Sequence, residues 1–96
     1  STPAMEAKPS ATGARKAVKV SWSAPMFADY GITSYRVRVY TRASGGRPLK
    51  SLTVSASALR RTVTKLKARK KYWITVTPVA SALVGTESVR VKVKTK

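Results

Sequence analysis

Leu66-Lys67-Ala68-Arg69-Lys70-Lys71-Tyr72-Trp73-Ile74-Thr75-Val76 is the stretch on which the reading of this chain turns. From Lys65 to Lys71 five side chains are cationic, a dense basic loop whose like charges repel and exceed what solubility needs. The pattern then changes. Tyr72, Ile74 and Val76 fall on one face, and Trp73, Thr75 and Thr77 on the other, which is the period of a half-buried strand. The same alternation recurs outward in both directions. Val18, Val20 and Trp22 share a face, as do Tyr35, Val37 and Val39, and Val89, Val91 and Val93. Leu49–Val54 and Leu59–Val63 are weaker strands, and Gly45-Gly46 marks a turn. No apolar stripe has helical spacing. About seven short strands at regular intervals imply an all-β sandwich or small barrel.

The chain has 96 residues, enough for one domain that buries roughly 60–65% of its unfolded surface. Residues 1–14 are small and turn-prone, and read as a lead-in with a short edge strand around Ala4–Lys8; residues 15–96 hold the rest of the domain. There is no Cys and no His, and the only acids are Glu6, Asp29 and Glu87. A Ser–His–Asp or Cys–His arrangement is therefore impossible, as is a zinc site built on His or Cys. Three scattered carboxylates suggest neither a metal cage nor an acid–base pair, so no enzyme, cofactor or metal is expected.

Twenty Lys and Arg give a net charge of +17. That balance attracts polysaccharide, teichoic-type polymer, nucleic acid, an anionic membrane surface or an acidic protein. Asn and Gln are absent, which removes the side chains best suited to reading adenine. No apolar run is long enough for a membrane-spanning helix. So high a charge favours a monomer at low salt.

Three segments together resemble the fibronectin type III family. Val20-Ser21-Trp22-Ser23-Ala24-Pro25 is similar to its second strand, with a core Trp closely followed by Pro. Ile32-Thr33-Ser34-Tyr35-Arg36-Val37 is similar to the third, with an inward Tyr. Leu66, six residues before Tyr72, resembles the tyrosine corner that leads into the sixth strand. The resemblance implies a seven-stranded immunoglobulin-like sandwich of two antiparallel sheets, with Trp22, Tyr35, Leu66 and Tyr72 in its core. Four departures stand out. Ala68 and Arg69 occupy places where the family usually has Pro and Gly; Arg61 falls at an inward position; Pro78 sits late in a strand; and no Arg-Gly-Asp occurs in Ala80–Thr86. Arg61 needs a bulge or an outward route, and Pro78 an edge, strand end or bulge.

On that fold two groups of cations become candidate polyanion sites. Arg36, Arg38, Arg90, Lys92 and Lys94 would surround Trp73 and Tyr40 on the outer face of one sheet, a pattern suited to stacking beside anionic groups. Arg15, Lys16, Arg42, Arg47, Lys65, Lys67, Arg69, Lys70 and Lys71 would gather at the pole near the C-terminus. Asp29 and Glu87 would lie at the opposite pole. The resemblance implies a spacer or adhesive module of an extracellular or cell-surface protein, binding an anionic polymer or surface. A small nucleic-acid-binding protein, or a part docking onto an acidic neighbouring domain in an assembly, are the competing readings.

Overall fold

In the computed structural model, which describes residues 3–5, 7–25, 31–81 and 83–96, the alternating segments form two antiparallel sheets around one core. The first sheet has the order β1 (Ser10–Ala14), β2 (Ala17–Ser21), β5 (Arg60–Val63). The second runs β4 (Lys50–Ser55), β3 (Ser34–Tyr40), β6 (Lys71–Ala80). Two short strands, β7 (Leu83–Val84) and β8 (Val91–Lys94), share the far edge of β6. The described strands number eight rather than seven because the last strand is split.

Alternation produces the core. Val18, Val20, Trp22 and Val63 from the first sheet meet Tyr35, Val37, Val39, Val54, Tyr72, Ile74, Val76 and Val93 from the second. Each large apolar side chain so buried contributes roughly 1.5–3 kcal/mol. The rings of Trp22 and Tyr35 pack at 5.4 Å between centroids, tilted by 58°. Leu66 plugs the core from the β5–β6 loop, and the Lys67 N–H donates to the Tyr72 hydroxyl at 2.9 Å. The tyrosine corner is therefore formed.

Three local details differ from the alternation. The first strand is Ser10–Ala14 rather than Ala4–Lys8; Ala4 makes only an isolated parallel bridge to Thr86. Ser-Ala-Thr-Gly-Ala carries no apolar alternation, and pairing with β2 across the Arg15-Lys16 turn makes it a strand. Arg61 lies opposite Val20, on the inward side, yet is exposed because β5 is an edge strand. Val89, expected inward, is 63% exposed.

Pro78 accounts for the last of these. Its carbonyl accepts from the Gly85 N–H at 2.8 Å, so its backbone faces the β7–β8 edge, where a proline cannot donate. The ladder breaks there. Five steps along β6 from Ile74 to Val79 face seven from Val84 to Val91, which leaves two residues of slack. Ser88 repairs part of the gap: its N–H donates to the Val76 carbonyl, and its hydroxyl accepts from the Val76 N–H at 2.9 Å.

Tyr72→Phe should lower unfolding stability by on the order of 1 kcal/mol, and up to about 3 if the Lys67 N–H is stranded. Urea or thermal unfolding reads this directly, and coincident curves for the two proteins would dismiss the corner bond as a stabilising element.

Candidate functional site

Cross-strand register sets the outer face of the larger sheet. Arg36, Arg38 and Tyr40 stand beside Thr77, Thr75 and Trp73, Lys92 stands beside Trp73, and Lys94 beside Lys71. These cations and aromatics do share a face, but much of it is closed by internal contacts. Tyr40 is buried, with the Arg90 guanidinium stacked 3.6 Å from its ring centroid. Arg90 precedes β8 instead of lying in it, and its Nη1 donates to the carbonyls of Arg42 and Gly45, both at 2.9 Å. Trp73 is half-buried, and Thr75 and Thr77 are buried although they point away from the core.

Glu87 was expected at the far pole. The slack opposite Pro78 instead carries it over the sheet face. Its Oε2 accepts from the Tyr40 hydroxyl at 2.6 Å and from Thr75 Oγ1 at 2.5 Å, with Arg38 Nη1 at 3.6 Å. Burial alone would raise the Glu87 pKa; the bonds from Thr75 and Tyr40 and the Arg38 charge outweigh it and hold the group below its ordinary value. Burial, and then the bond and charge of Glu87, push the Tyr40 hydroxyl up. Asp29, the other acid expected at that pole, lies outside the described residues.

The pole is different. The Arg15-Lys16 turn, the β3–β4 connection, the β5–β6 loop and the last residues all meet at one end. Arg15, Lys16, Arg42, Arg47, Lys50, Lys65, Lys67, Arg69, Lys70, Lys71, Lys94 and Lys96 lie there, twelve of the chain's twenty cations. Backbone bonds knit the end together. The Leu66 N–H donates to Lys16 O at 3.0 Å, the Lys16 N–H to Lys96 O at 3.1 Å and the Lys96 N–H to Ala14 O at 2.8 Å. Buried Thr95 ties in the loop, its hydroxyl accepting from the Lys70 N–H at 2.9 Å and donating to Lys67 O at 2.6 Å. Lys50 Nζ donates to the carbonyls of Thr64 and Lys65.

Three of these cations have left-handed backbone: Lys16 at φ 52°, Lys65 at 59° and Arg69 at 50°. Such a conformation costs a side-chain-bearing residue roughly 1–2 kcal/mol, and glycine essentially nothing. Arg15, Lys16, Ala68, Arg69 and Lys96 line an open hollow of about 390 Å³ at this end. The structure brings the pole residues read from the sequence to one end, together with Lys50 and Thr95, which that reading missed along with the backbone strain. The same reading placed Glu87 wrongly, because alternation carries no sign of a two-residue slip.

The model of the fibronectin type III domain matches residues 6–94. The chain belongs to the fibronectin type III family. Among solved structures, the FN5 domain of Drosophila Lar is 26% identical at a TM-score of 0.73, over 92% of this chain and 90% of that one. An Fn3-like protein from Clostridium thermocellum is 22% identical at a TM-score of 0.79, over 100% and 96%. The FN1–FN3 domains of chicken CNTN1 are 20% identical at 0.81, over 99% of this chain but 33% of that one. No curated protein matches. Type III domains are generally non-catalytic, and among the described residues no helix is long and apolar enough to cross a membrane.

In this type III domain the Glu87 cluster sets an acid sensitivity. A depressed folded pKa means the cluster's stabilisation is complete above the ordinary value of 4.5 and is lost as pH falls through the folded one. The stability gap between the parent protein and Glu87→Gln should therefore narrow on acidification below about pH 5. Chemical denaturation at a series of pH values tests this; a gap that stays constant with pH would mean that Glu87 ionisation contributes nothing.

Proposed function

We propose that this type III domain is a non-catalytic module of a larger extracellular or cell-surface protein, a spacer whose basic pole adheres to an anionic polymer or surface. The observation that carries this reading is the polarity of the sandwich. Twelve cations sit at one end, while residues 22–25, 31–35, 51–59 and 72–89, which lead to and from the other end, contain no Lys or Arg, and Lys8 and Arg60 stand beside them. Solubility does not require such segregation, and like charges so gathered repel one another. The long axis of 40 Å, with Ala4 bridged to Thr86 near one end and Lys96 at the other, suits a unit in a serial array. One third of the CNTN1 chain corresponds to this single domain, which supports the modular part of the reading.

Adhesion of this kind is electrostatic and tolerant of shape, and it weakens steeply with salt as bound ions are displaced and restored. A polysaccharide or teichoic-type polymer is the favoured partner. The same polarity supports a second reading, in which the basic pole docks onto an acidic neighbouring domain. Nucleic acid ranks behind both, because on the sheet face, where cations and aromatics meet, Tyr40 is buried and Trp73 half-buried.

A salt titration against heparin, a teichoic-type polymer, single-stranded DNA and duplex DNA tests the proposal. Replacing Lys65, Lys67, Lys70 and Lys71 with Ser should weaken binding to the first two. The slope of log affinity against log salt should fall by about 3, at 0.7–0.9 per contact. Unchanged elution of this variant would remove the loop from the interface. No binding by the parent domain at physiological salt would favour the acidic-neighbour reading.

A further inference from the structure

Cations clustered at one pole need not contribute equally, and the hollow singles out a few of them. Resting on the polyanion reading, we infer that the hollow lined by Arg15, Lys16, Arg69 and Lys96 is a subsite for a tetrahedral oxyanion. The ligand is a sulfate or phosphate group carried on a linear saccharide or polyol chain.

Charge supplies the first argument. Four cations line the opening together with Ala68. Glu87, the one acidic side chain among the described residues, is engaged on the sheet face with Tyr40, Thr75 and Arg38. Arg15 and Arg69 each present a planar fork that matches two oxygens of such a group.

Backbone conformation supplies the second. Lys16 and Arg69 hold left-handed geometry that glycine would adopt without penalty. Side chains kept at strained positions mark places where something besides folding is served. The frame around them is already fixed, since Lys16 N–H and carbonyl are bonded to Lys96 and Leu66, and Lys96 N–H to Ala14. An anion entering it orders side chains but little backbone.

The polymer class follows from what the hollow lacks. Among the described residues no aromatic side chain lines it: Tyr72 is buried in the core, and Trp73 belongs to the sheet face. Single-stranded nucleic acid draws much of its affinity from stacking. A polymer held through its anionic groups alone fits better.

The test compares two double variants of equal charge change in the full 96-residue chain. Lys16→Gly/Arg69→Gly removes two of the hollow's four cations, and Lys19→Ser/Lys92→Ser removes two exposed cations from strand faces outside the pole. The first should weaken binding to heparin or to polyglycerol phosphate by about tenfold at 0.15 M salt, the second by about threefold or less. The thermal midpoint of the glycine variant should be unchanged or higher. Arg15→Ser, which leaves both strained residues in place, gives the same reading should the glycine variant fold poorly. Preference for heparin over polyglycerol phosphate, or the reverse, assigns the group as sulfate or phosphate. Equal losses for the two double variants would overturn the subsite, while the broader reading survives if the Lys65/Lys67/Lys70/Lys71 variant is weakened. Tighter binding of single-stranded DNA than of either polymer would overturn the ligand class. No binding of any probe by the parent chain would overturn both.

Discussion

A proline at position 78 of the central strand leaves the adjoining ladder one donor short, and the adjacent segment cannot follow β6 without interruption. The consequence spreads outward. With two residues of slack between Val84 and Val91, Glu87 folds across the sheet and collects Tyr40, Thr75 and Arg38. Arg90, released from strand geometry, lies over the Tyr40 ring and holds the β3–β4 connection by two carbonyls. Charges and aromatics that alternation would leave open to solvent thus satisfy one another. The missing backbone donor thus decides which side chains of this face are engaged within the protein.

At the pole the balance runs the other way. Charges 4 Å apart interact by about 1 kcal/mol in water, and salt at 0.15 M screens them beyond roughly 8 Å. Each repulsion is small, but twelve cations make many of them. Leu66 in the core and the Lys67–Tyr72 bond anchor the β5–β6 loop from within, while Thr95 clamps it to the last strand. These are short-range, partly buried interactions that salt hardly touches. A bound polyanion would relieve the repulsion without disturbing them, so binding and stability are linked by mass action.

What the sequence revealed depended on how local the cause was. Ser34–Tyr40 and Lys71–Ala80 were readable because alternating side chains with a buried face leave one register open. The tyrosine corner was readable because Leu66 and Tyr72 lie on one continuous stretch. Ser10–Ala14 was not, since small residues alternate in nothing and the strand exists through its partner. Val89 misled for the opposite reason: Val89, Val91 and Val93 alternate faultlessly, but the slip set by Pro78, more than ten residues earlier, frees the first of them. The basic pole survived this error. Which loops share an end follows from strand order alone, whereas which side chains remain free on a face depends on contacts between distant segments.

Glycine usage sharpens the case for the pole. Gly45 and Gly46 take left-handed backbone in the β3–β4 connection, where the turn demands it and the flanking Arg42 and Arg47 carry the charge. In the two neighbouring turns at the same end, equivalent backbone angles fall to Lys16, Lys65 and Arg69. Were backbone economy the only pressure, glycine would serve in all of them, and Asn would be the next resort. A solvated loop in a basic protein needs cations somewhere, but not at the positions where they strain the chain. Of the four non-glycine residues with such backbone among the described residues, three are cations at this pole and the fourth is Ser81; the proposed anion subsite would account for that coincidence of strain and charge.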